Sequence, residues 1–441
     1  MKGSMTYPKG GVHPPDRKEA SSEKPIKNAL IPQTLVVPLS QHLGKPAELL
    51  VEPGEEVREG MLLGKSSGFI SAPVHSPVPG KVKEIKDVYL PNGIKTKAVV
   101  IEMEGEFDRS GKEQKRREWK GMSSSELLDI ITENGIVGLG GATFPTNVKL
   151  SIPKGKKAEI FIVNGVECEP YLTIDNRLML EKTEELLEGI EIIRTILQPE
   201  RVAIAIEDNK PEAIRKVQET VDSRGMQIEV IPLKLKYPQG DEKLVLKSIT
   251  GKEVPSGGLP IEIGAVVSNA GTVFSIYEAV VYGKPLIERF VTVSGGAIKN
   301  PSNLKVRVGT PIGDLIEECG GFTQVPAKIV VGGPMTGFAV YDLDTPVIKG
   351  TSGVLALTAK EVNSAARTNC ISCGRCIQAC PMGLNPTTLF KKVDHLLYDE
   401  ALDLGLMDCR ECGSCGFVCP AHIPLVQGIK LGKRMARKKK G

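Results

Sequence analysis

Cys370-Ile371-Ser372-Cys373-Gly374-Arg375-Cys376-Ile377-Gln378-Ala379-Cys380-Pro381 and Cys409-Arg410-Glu411-Cys412-Gly413-Ser414-Cys415-Gly416-Phe417-Val418-Cys419-Pro420 are two copies of one pattern, C-x2-C-x2-C-x3-C-P. A [4Fe–4S] cube needs four thiolates converging on one small volume. A tight turn carrying three cysteines supplies three of them, and the cysteine before the proline typically ligates the other cluster in two-cluster ferredoxins. The expected ligand sets are therefore Cys370, Cys373, Cys376 and Cys419 for one cluster, and Cys409, Cys412, Cys415 and Cys380 for the other. Structural zinc and disulfides are the alternatives, but zinc sites usually show two-plus-two spacing, not two full runs each closed by proline. Residues 361–429 thus read as an electron-carrying, largely helical ferredoxin-type domain. Between the runs, Pro386–Leu404 is expected to be helical, with Leu389, Val393, Leu396 and Leu397 packing along one side.

The rest of the chain must position this module. Its 441 residues allow about three or four domains, and 41% hydrophobic content can fill real cores. A formal net charge of only +4 argues against general nucleic-acid binding. Beyond the cluster runs only Cys168 and Cys319 remain, a usage that fits a reducing compartment. The opening residues lack an apolar signal-peptide core and no run is long and apolar enough to span a bilayer, so a soluble protein, or one peripheral to the cytoplasmic side of a membrane, is expected. Residues 430–441 form a basic tail, read equally well as a frayed solvated end or as an anchor on anionic lipid.

Residues 1–33 read as an extended arm, because Pro8, Gly10, Gly11, Pro14, Pro15 and Pro25 interrupt regular structure. Residues 34–104 hold short β runs punctuated by glycine and proline (Thr34–Pro38, Ala47–Val51, Gly80–Ile85, Ala98–Met103), which suggests a small barrel or sandwich. Val51 through Gly54, Val57, Gly60, Pro73 and Pro77 to Gly80 resembles a lipoyl or biotinyl carrier fold. Lys65 lacks the paired neighbours of a modified lysine, so a structural hammerhead is expected. Gly60–Ser66 also imitates a phosphate loop, but one residue too few separates Gly60 from Gly64.

After a charged linker over 104–122, Ser123-Ser124-Ser125-Glu126 offers a capping start for a helix. Residues 120–287 then alternate: strand Ala158–Val163, helix Thr183–Leu197, strand Arg201–Ile206, helix Pro211–Ser223, strand Gln227–Leu233. That order implies a parallel sheet with helices on its faces, a Rossmann-like α/β domain. Residues 288–360 change to short strands around glycines, a small mixed β domain.

Within the α/β domain, Gly138-Leu139-Gly140-Gly141-Ala142-Thr143-Phe144-Pro145-Thr146 is glycine-rich enough for backbone N–H groups to approach a phosphate, with Lys149 placed to add charge. Many such loops are merely tight turns. Asn164-Gly165-Val166-Glu167-Cys168-Glu169-Pro170, however, directly follows a buried strand, where open α/β sheets place ligands. Gly240-Asp241-Glu242 and Ser268-Asn269-Ala270-Gly271-Thr272 read as later loops of similar character.

These segments resemble, in order and approximate spacing, the FMN-binding segments of the NADH-oxidising flavoprotein subunit of respiratory complex I. The arm Lys9-Gly10-Gly11-Val12-His13-Pro14-Pro15 and Pro38-Leu39-Ser40-Gln41-His42-Leu43-Gly44, with the hammerhead, the small β domain and the Cys runs, resemble the RnfC family of Rnf complexes over about residues 8–427. The resemblance implies a multidomain α/β protein: a β barrel-sandwich hammerhead, an FMN/NADH domain, a β-grasp SLBB domain at 288–360 and the ferredoxin-type domain. It implies one component of an ion-translocating oxidoreductase that couples electron transfer between ferredoxin and NAD to sodium or proton translocation. The NAD(H) half-reaction would fall in this chain, with ferredoxin reacting through a partner subunit.

By the same resemblance, Gly138, Gly140, Lys149, Asn164, Glu167, Gly240, Asp241, Ser268, Asn269 and Thr272 should surround FMN. Phe144, Glu169 and Glu242 should lie where NAD(H) docks. Thr143, Val166 and Cys168 depart from the complex I pattern, as does Leu259 near the position of an aromatic adenine clamp. Gly141-Ala142-Thr143 lacks the preceding acid or serine of a covalent flavin motif, so non-covalent FMN is expected. No residue need act as a covalent catalyst. The cobalamin reductase of bacterial microcompartments, built from the same modules, and a non-catalytic electron-transfer scaffold are the rival readings.

Overall fold

Ile160–Gly165 and Arg201–Glu207 are buried along nearly their whole length, as expected of inner strands covered by helices on both faces. They form the middle of a four-stranded parallel sheet in the order Glu229–Leu233, Arg201–Glu207, Ile160–Gly165, Ala265–Asn269. The computed structural model containing this sheet describes residues 4–440, with side chains through Lys438. Helix Thr183–Leu197 buries Leu186, Ile190, Ile193 and Leu197, the face its periodicity predicts. Helix Pro211–Ser223 begins on a proline, whose missing N–H costs nothing in the first turn. Ser123 caps helix Ser124–Glu133 through a reciprocal capping box with Glu126.

Ser268–Thr272, read from sequence as a loop, is a junction between regular elements. Ser268 and Asn269 end the fourth strand, and helix Ala270–Tyr282 starts at once behind Asn269, whose side chain accepts from the Gly271 N–H at 2.9 Å. That helix is buried on almost every side, so it has no amphipathic period to betray it.

Residues preceding the α/β domain form two small sheets, one of strands Thr34–Pro38, Lys95–Met103, Gly80–Tyr89 and Glu56–Val57, the other of Glu48–Leu49, Leu62–Lys65 and Val74–His75. Leu35, Val37, Leu63, Val78, Val99 and Ile101 fill the space between. After the α/β domain, a mixed sheet curls around helix Ile312–Glu318, with Glu288–Ser294 at its centre between Ser302–Arg307 and Gly353–Leu357. The arm contributes to this sheet. Ile26–Asn28 is its edge strand, parallel to Ser302–Arg307, so the arm is not wholly irregular. Upstream, Val12 pairs with Tyr237, and the Gly11 N–H donates to the Ala379 carbonyl at 2.9 Å, so one segment touches three domains.

The cluster domain departs from its expected helix. Pro386–Asp394 and Tyr398–Asp403 are separate helices, because Leu396 sits at φ +60°, where a right-handed helix cannot continue. Leu396 is 70% exposed and Leu397 40%, so neither packs as the sequence suggested. The basic tail belongs to helix Leu425–Lys440, which buries Ile429 and Ala436 against Leu389 and Val393. Its Lys433 is buried and donates to the Cys409 carbonyl at 2.6 Å and to Glu411 at 2.9 Å, so the end of the described chain is docked, not frayed. Among the described residues no helix is long and apolar enough to cross a membrane.

Candidate functional site

The C-terminal ends of the parallel strands open onto a cleft of about 550 Å³. The α/β domain contributes Gly140, Asn164, Glu167, Glu169, Gly240, Asp241 and Asn269 to its walls. The β-grasp sheet adds Arg289 and the loop from Gly332 to Phe338, and the cluster domain closes the third side with Arg410, Glu411, Cys412 and Lys430.

Local bonding explains this shape. The Gly138 N–H donates to the Phe144 carbonyl at 2.8 Å and the Leu139 N–H to Thr272 Oγ1 at 2.8 Å, which pins both ends of the glycine loop. Among the described residues the backbone N–H groups of Gly140, Gly141 and Ala142 have no protein acceptor. Gly141 holds φ +104°, a conformation a side chain would strain. Asn164 donates from Nδ2 to the Gly240 carbonyl at 2.9 Å and accepts from the Val166 N–H at 3.1 Å, tying two strand ends together. At Gly240 a Cβ would stand 2.6 Å from the Val166 oxygen, so only glycine lets these loops meet.

Beneath the cleft lies a buried set of charges. Glu167 accepts from the Asp175 N–H at 2.9 Å through Oε1, while Oε2 is buried without a partner. Burial raises the Glu167 carboxyl to about 7, against the pull of Lys18. Asp175 is also pushed up by burial and accepts from Asn269 Nδ2 at 2.8 Å. Lys18, from the arm, donates to the carbonyls of Glu167 at 3.0 Å, Glu169 at 2.8 Å and Leu172.

The remaining sequence-predicted residues stand behind the walls. Gly138, Phe144 and Thr272 shape the glycine loop, and Ser268 is buried with an unpartnered hydroxyl. Lys149 bonds Glu242 and the Val267 carbonyl, so its ammonium is engaged away from the cleft lining. Glu169 lines the cleft but already accepts from the Met335 N–H at 3.0 Å, the Thr336 hydroxyl and the Tyr237 hydroxyl. Sequence reasoning missed Lys18, Asp175, Tyr237, Arg289 and Arg410. Arg289 is the telling omission: a buried cation at the cleft, it donates from Nε to the Thr351 carbonyl at 3.0 Å, and burial lowers it to about 10. Only its place two residues into strand Glu288–Ser294, among apolar neighbours, could have flagged it.

The cysteines fall into the two crossed sets. Cys370, Cys373, Cys376 and Cys419 line a cavity of about 240 Å³, and Cys380, Cys409, Cys412 and Cys415 line another of about 20 Å³. Four thiol groups around each cavity is the donor set a cube requires. Two contacts join the second set to the cleft: Arg410 Nε donates to Asp241 at 2.7 Å, and the Tyr237 hydroxyl donates to the Cys412 carbonyl at 2.6 Å.

Comparison with known proteins bears on each module. Residues 6–106 match the RnfC barrel sandwich hybrid domain, 131–278 the Nuo51 FMN-binding domain, 290–339 the SLBB domain and 369–424 the 4Fe-4S dicluster domain. The chain is 48% identical to the RnfC-type component of the proton-translocating ferredoxin:NAD(+) oxidoreductase complex of Clostridium ljungdahlii, over 96% of this chain and 92% of that protein. The chain belongs to the RnfC family. The counterpart in the Na(+)-translocating complex of Acetobacterium woodii is 42% identical, over 98% of each chain, and that in the ion-translocating oxidoreductase complex of Rhodobacter capsulatus is 41% identical, over 98% of this chain and 84% of that one. Membership in the RnfC family favours this reading over the microcompartment enzyme with the same modules.

An RnfC chain therefore carries its FMN-binding and dicluster domains side by side. The cleft suits FMN on its own features. Free N–H groups on the glycine loop can receive a phosphate, the orphan Glu167 oxygen can accept from a polar ring edge or ribityl hydroxyl, and Arg289 supplies a fixed positive charge.

Proposed function

We propose that this chain exchanges hydride equivalents between NAD(H) and FMN in the cleft and passes single electrons through two [4Fe–4S] clusters to or from membrane subunits of an Rnf complex. In this reading it sits peripherally on the cytoplasmic face, ferredoxin reacts through a partner subunit, and the complex couples the transfer to sodium or proton translocation. The observation that carries the proposal is a shared wall: Arg410 and Cys412 line both the cleft and the cavity of Cys380, Cys409, Cys412 and Cys415.

When bound, flavin supplies the exchange between two-electron and one-electron chemistry, and the clusters carry one electron at a time. The residues position and tune. Asn164 and Gly240 hold the strand ends at which the ring would rest, and the glycine loop and Arg289 hold its phosphate. Glu167, raised to about 7 by burial, can hold or release a proton at Oε2 near neutral pH. Arg410 and Tyr237 fix the second cysteine loop against the flavin wall. The cluster of Cys380, Cys409, Cys412 and Cys415 then takes the first transfer, and that of Cys370, Cys373, Cys376 and Cys419, whose Cys370 and Cys373 are exposed, faces the partner.

The test is anaerobic addition of NADH to purified chain, following flavin bleaching near the visible absorption maximum and the EPR signals of the clusters. Bleaching followed by cluster reduction supports the proposal. Failure of NADH to reduce the flavin in both the isolated chain and the assembled complex overturns it.

Two substitutions probe the assigned roles. Arg289→Gln removes the buried charge at the phosphate end and is expected to lower FMN affinity about tenfold, as loss of a charge-assisted bond would. Lys149→Ala, whose ammonium is spent on Glu242, is expected to act less than Arg289→Gln; fluorescence of released flavin ranks the two. Glu169, placed by family resemblance near a nucleotide ribose, would accept from its hydroxyls once Thr336 yields its bond, and would repel the extra phosphate of NADPH. Glu169→Gln is therefore expected to weaken the NADH preference with FMN still bound, at a cost of ~1.5–3 kcal/mol in kcat/KM for NADH. Equal kinetics with both nucleotides, measured by ferricyanide reduction, would remove Glu169 from that role.

A further inference from the structure

Beyond the cleft, a groove of about 940 Å³ runs between the β-grasp domain, the arm and helix Leu425–Lys440. It joins the cleft at Asn92, Gly337, Phe338 and Lys430, which line both. Arg17, Lys328, Lys360, Lys430 and Arg434 line the groove. None of these cations has an ion-pair partner among the described residues, although surface lysines and arginines elsewhere in the chain are commonly paired. The single carboxylate in the lining, Glu361, is turned inward. It accepts from the Tyr171 hydroxyl at 2.9 Å, the Thr358 N–H at 2.8 Å and the Gly296 N–H, so it does not neutralise the groove.

The floor is aromatic. Phe338 is 38% exposed with the Lys430 ammonium 5.1 Å from its ring centre, and Phe417 is 49% exposed. Unpaired cations beside open aromatic faces are the chemistry of a nucleotide: phosphates take charge-assisted bonds, and a purine stacks on a ring. The volume is in the range of small-ligand sites. The groove also begins at Lys430 and Phe338, beside the loop that covers Glu169.

We infer that this groove binds the adenosine diphosphate half of the nicotinamide dinucleotide, with the pyrophosphate among Lys430, Arg434 and Lys360 and the adenine on the aromatic floor. The inference rests on the proposed NAD(H) reaction and deepens it. It places the adenylate against the β-grasp and cluster domains, where Lys430 and Phe338 connect groove to flavin cleft. It also gives a physical reason why an aromatic clamp at Leu259, which is 64% exposed and lines neither space, can be dispensed with.

The experiment uses the full chain loaded with FMN and both clusters. ADP-ribose, which has the pyrophosphate and adenine but no nicotinamide, is titrated calorimetrically into wild type, Arg434→Glu and Lys360→Glu. Both positions are exposed and lie on opposite walls, so a shared effect does not reflect misfolding of one element. Each reversal is expected to raise the ADP-ribose dissociation constant about tenfold or more. Each should also raise KM for NADH by a similar factor, leaving kcat, FMN content and turnover of reduced nicotinamide mononucleotide unchanged. Wild type that fails to bind ADP-ribose, or variants that bind it as wild type does, overturns the inference. Loss of association with the membrane partners while ADP-ribose binding stays intact also overturns it and makes the groove a face for an acidic protein. If wild-type flavin is bleached by NADH while KM ignores the groove, the adenylate assignment alone fails.

Discussion

Cys419→Ala protein, purified without oxygen, is expected to lose the cluster built on Cys370, Cys373 and Cys376 and to keep the one beside its own sequence neighbours. Iron should fall from about eight atoms per chain to about four. The expectation follows from geometry: Cys419 lines the cavity of the first cysteine run, and Cys380 lines that of the second. Because the second cavity shares Cys412 with the flavin cleft, Cys419→Ala should still transfer electrons from NADH-reduced flavin to one EPR-visible cluster. Cys380→Ala should stop that transfer while leaving flavin bleaching by NADH in place. Cys419→Ala protein that keeps all its iron, or loses the flavin-facing signal, would dismantle both the crossed ligation and the order of the clusters.

Lys18→Met is expected to be the most damaging single change outside the cysteines. Methionine keeps the length of the side chain but leaves the carbonyls of Glu167, Glu169 and Leu172 without their donor in a buried place. Each buried acceptor so stranded costs ~1–3 kcal/mol, and partial relaxation brings the whole to roughly 3–5 kcal/mol. For an α/β unit of this size that lowers Tm by roughly 10 °C. These carbonyls belong to the segment carrying Glu167 and Glu169, so flavin should also dissociate more readily. Calorimetry of wild type and variant, with flavin release measured in parallel, checks both. A Tm within about 2 °C of wild type would show that water or a shifted backbone replaces the ammonium.

The parts of the molecule visible in the sequence were those built from local pattern. The Cys spacing, the period of helix Thr183–Leu197, the strand run ending at Asn164 and the capping signature at Ser123 each depend on residues a few positions apart. What escaped depends on distant partners. Arg289 reaches the glycine loop from another domain, and Arg410 meets Asp241 across the cluster interface. Lys149 could be placed near the glycine loop by spacing, but not turned toward Glu242 by it. Leu396 fits a helical stripe in sequence, and only its left-handed backbone reveals the break.

The arm sets an order of events during synthesis. Ile26–Asn28, Val12 and Gly11 leave the ribosome early, yet their seats are Ser302–Arg307, Tyr237 and Ala379, the last of them beside Cys380. At ordinary elongation speeds the arm waits on the order of tens of seconds before its final seat exists. Ala379 sits on the loop whose Cys380 serves the flavin-facing cluster, so insertion of that cluster and closure of the arm fall together at the end of maturation. A nascent chain halted before Ala379 would carry its first residues unclasped, exposing them to proteases until the metal centre is complete.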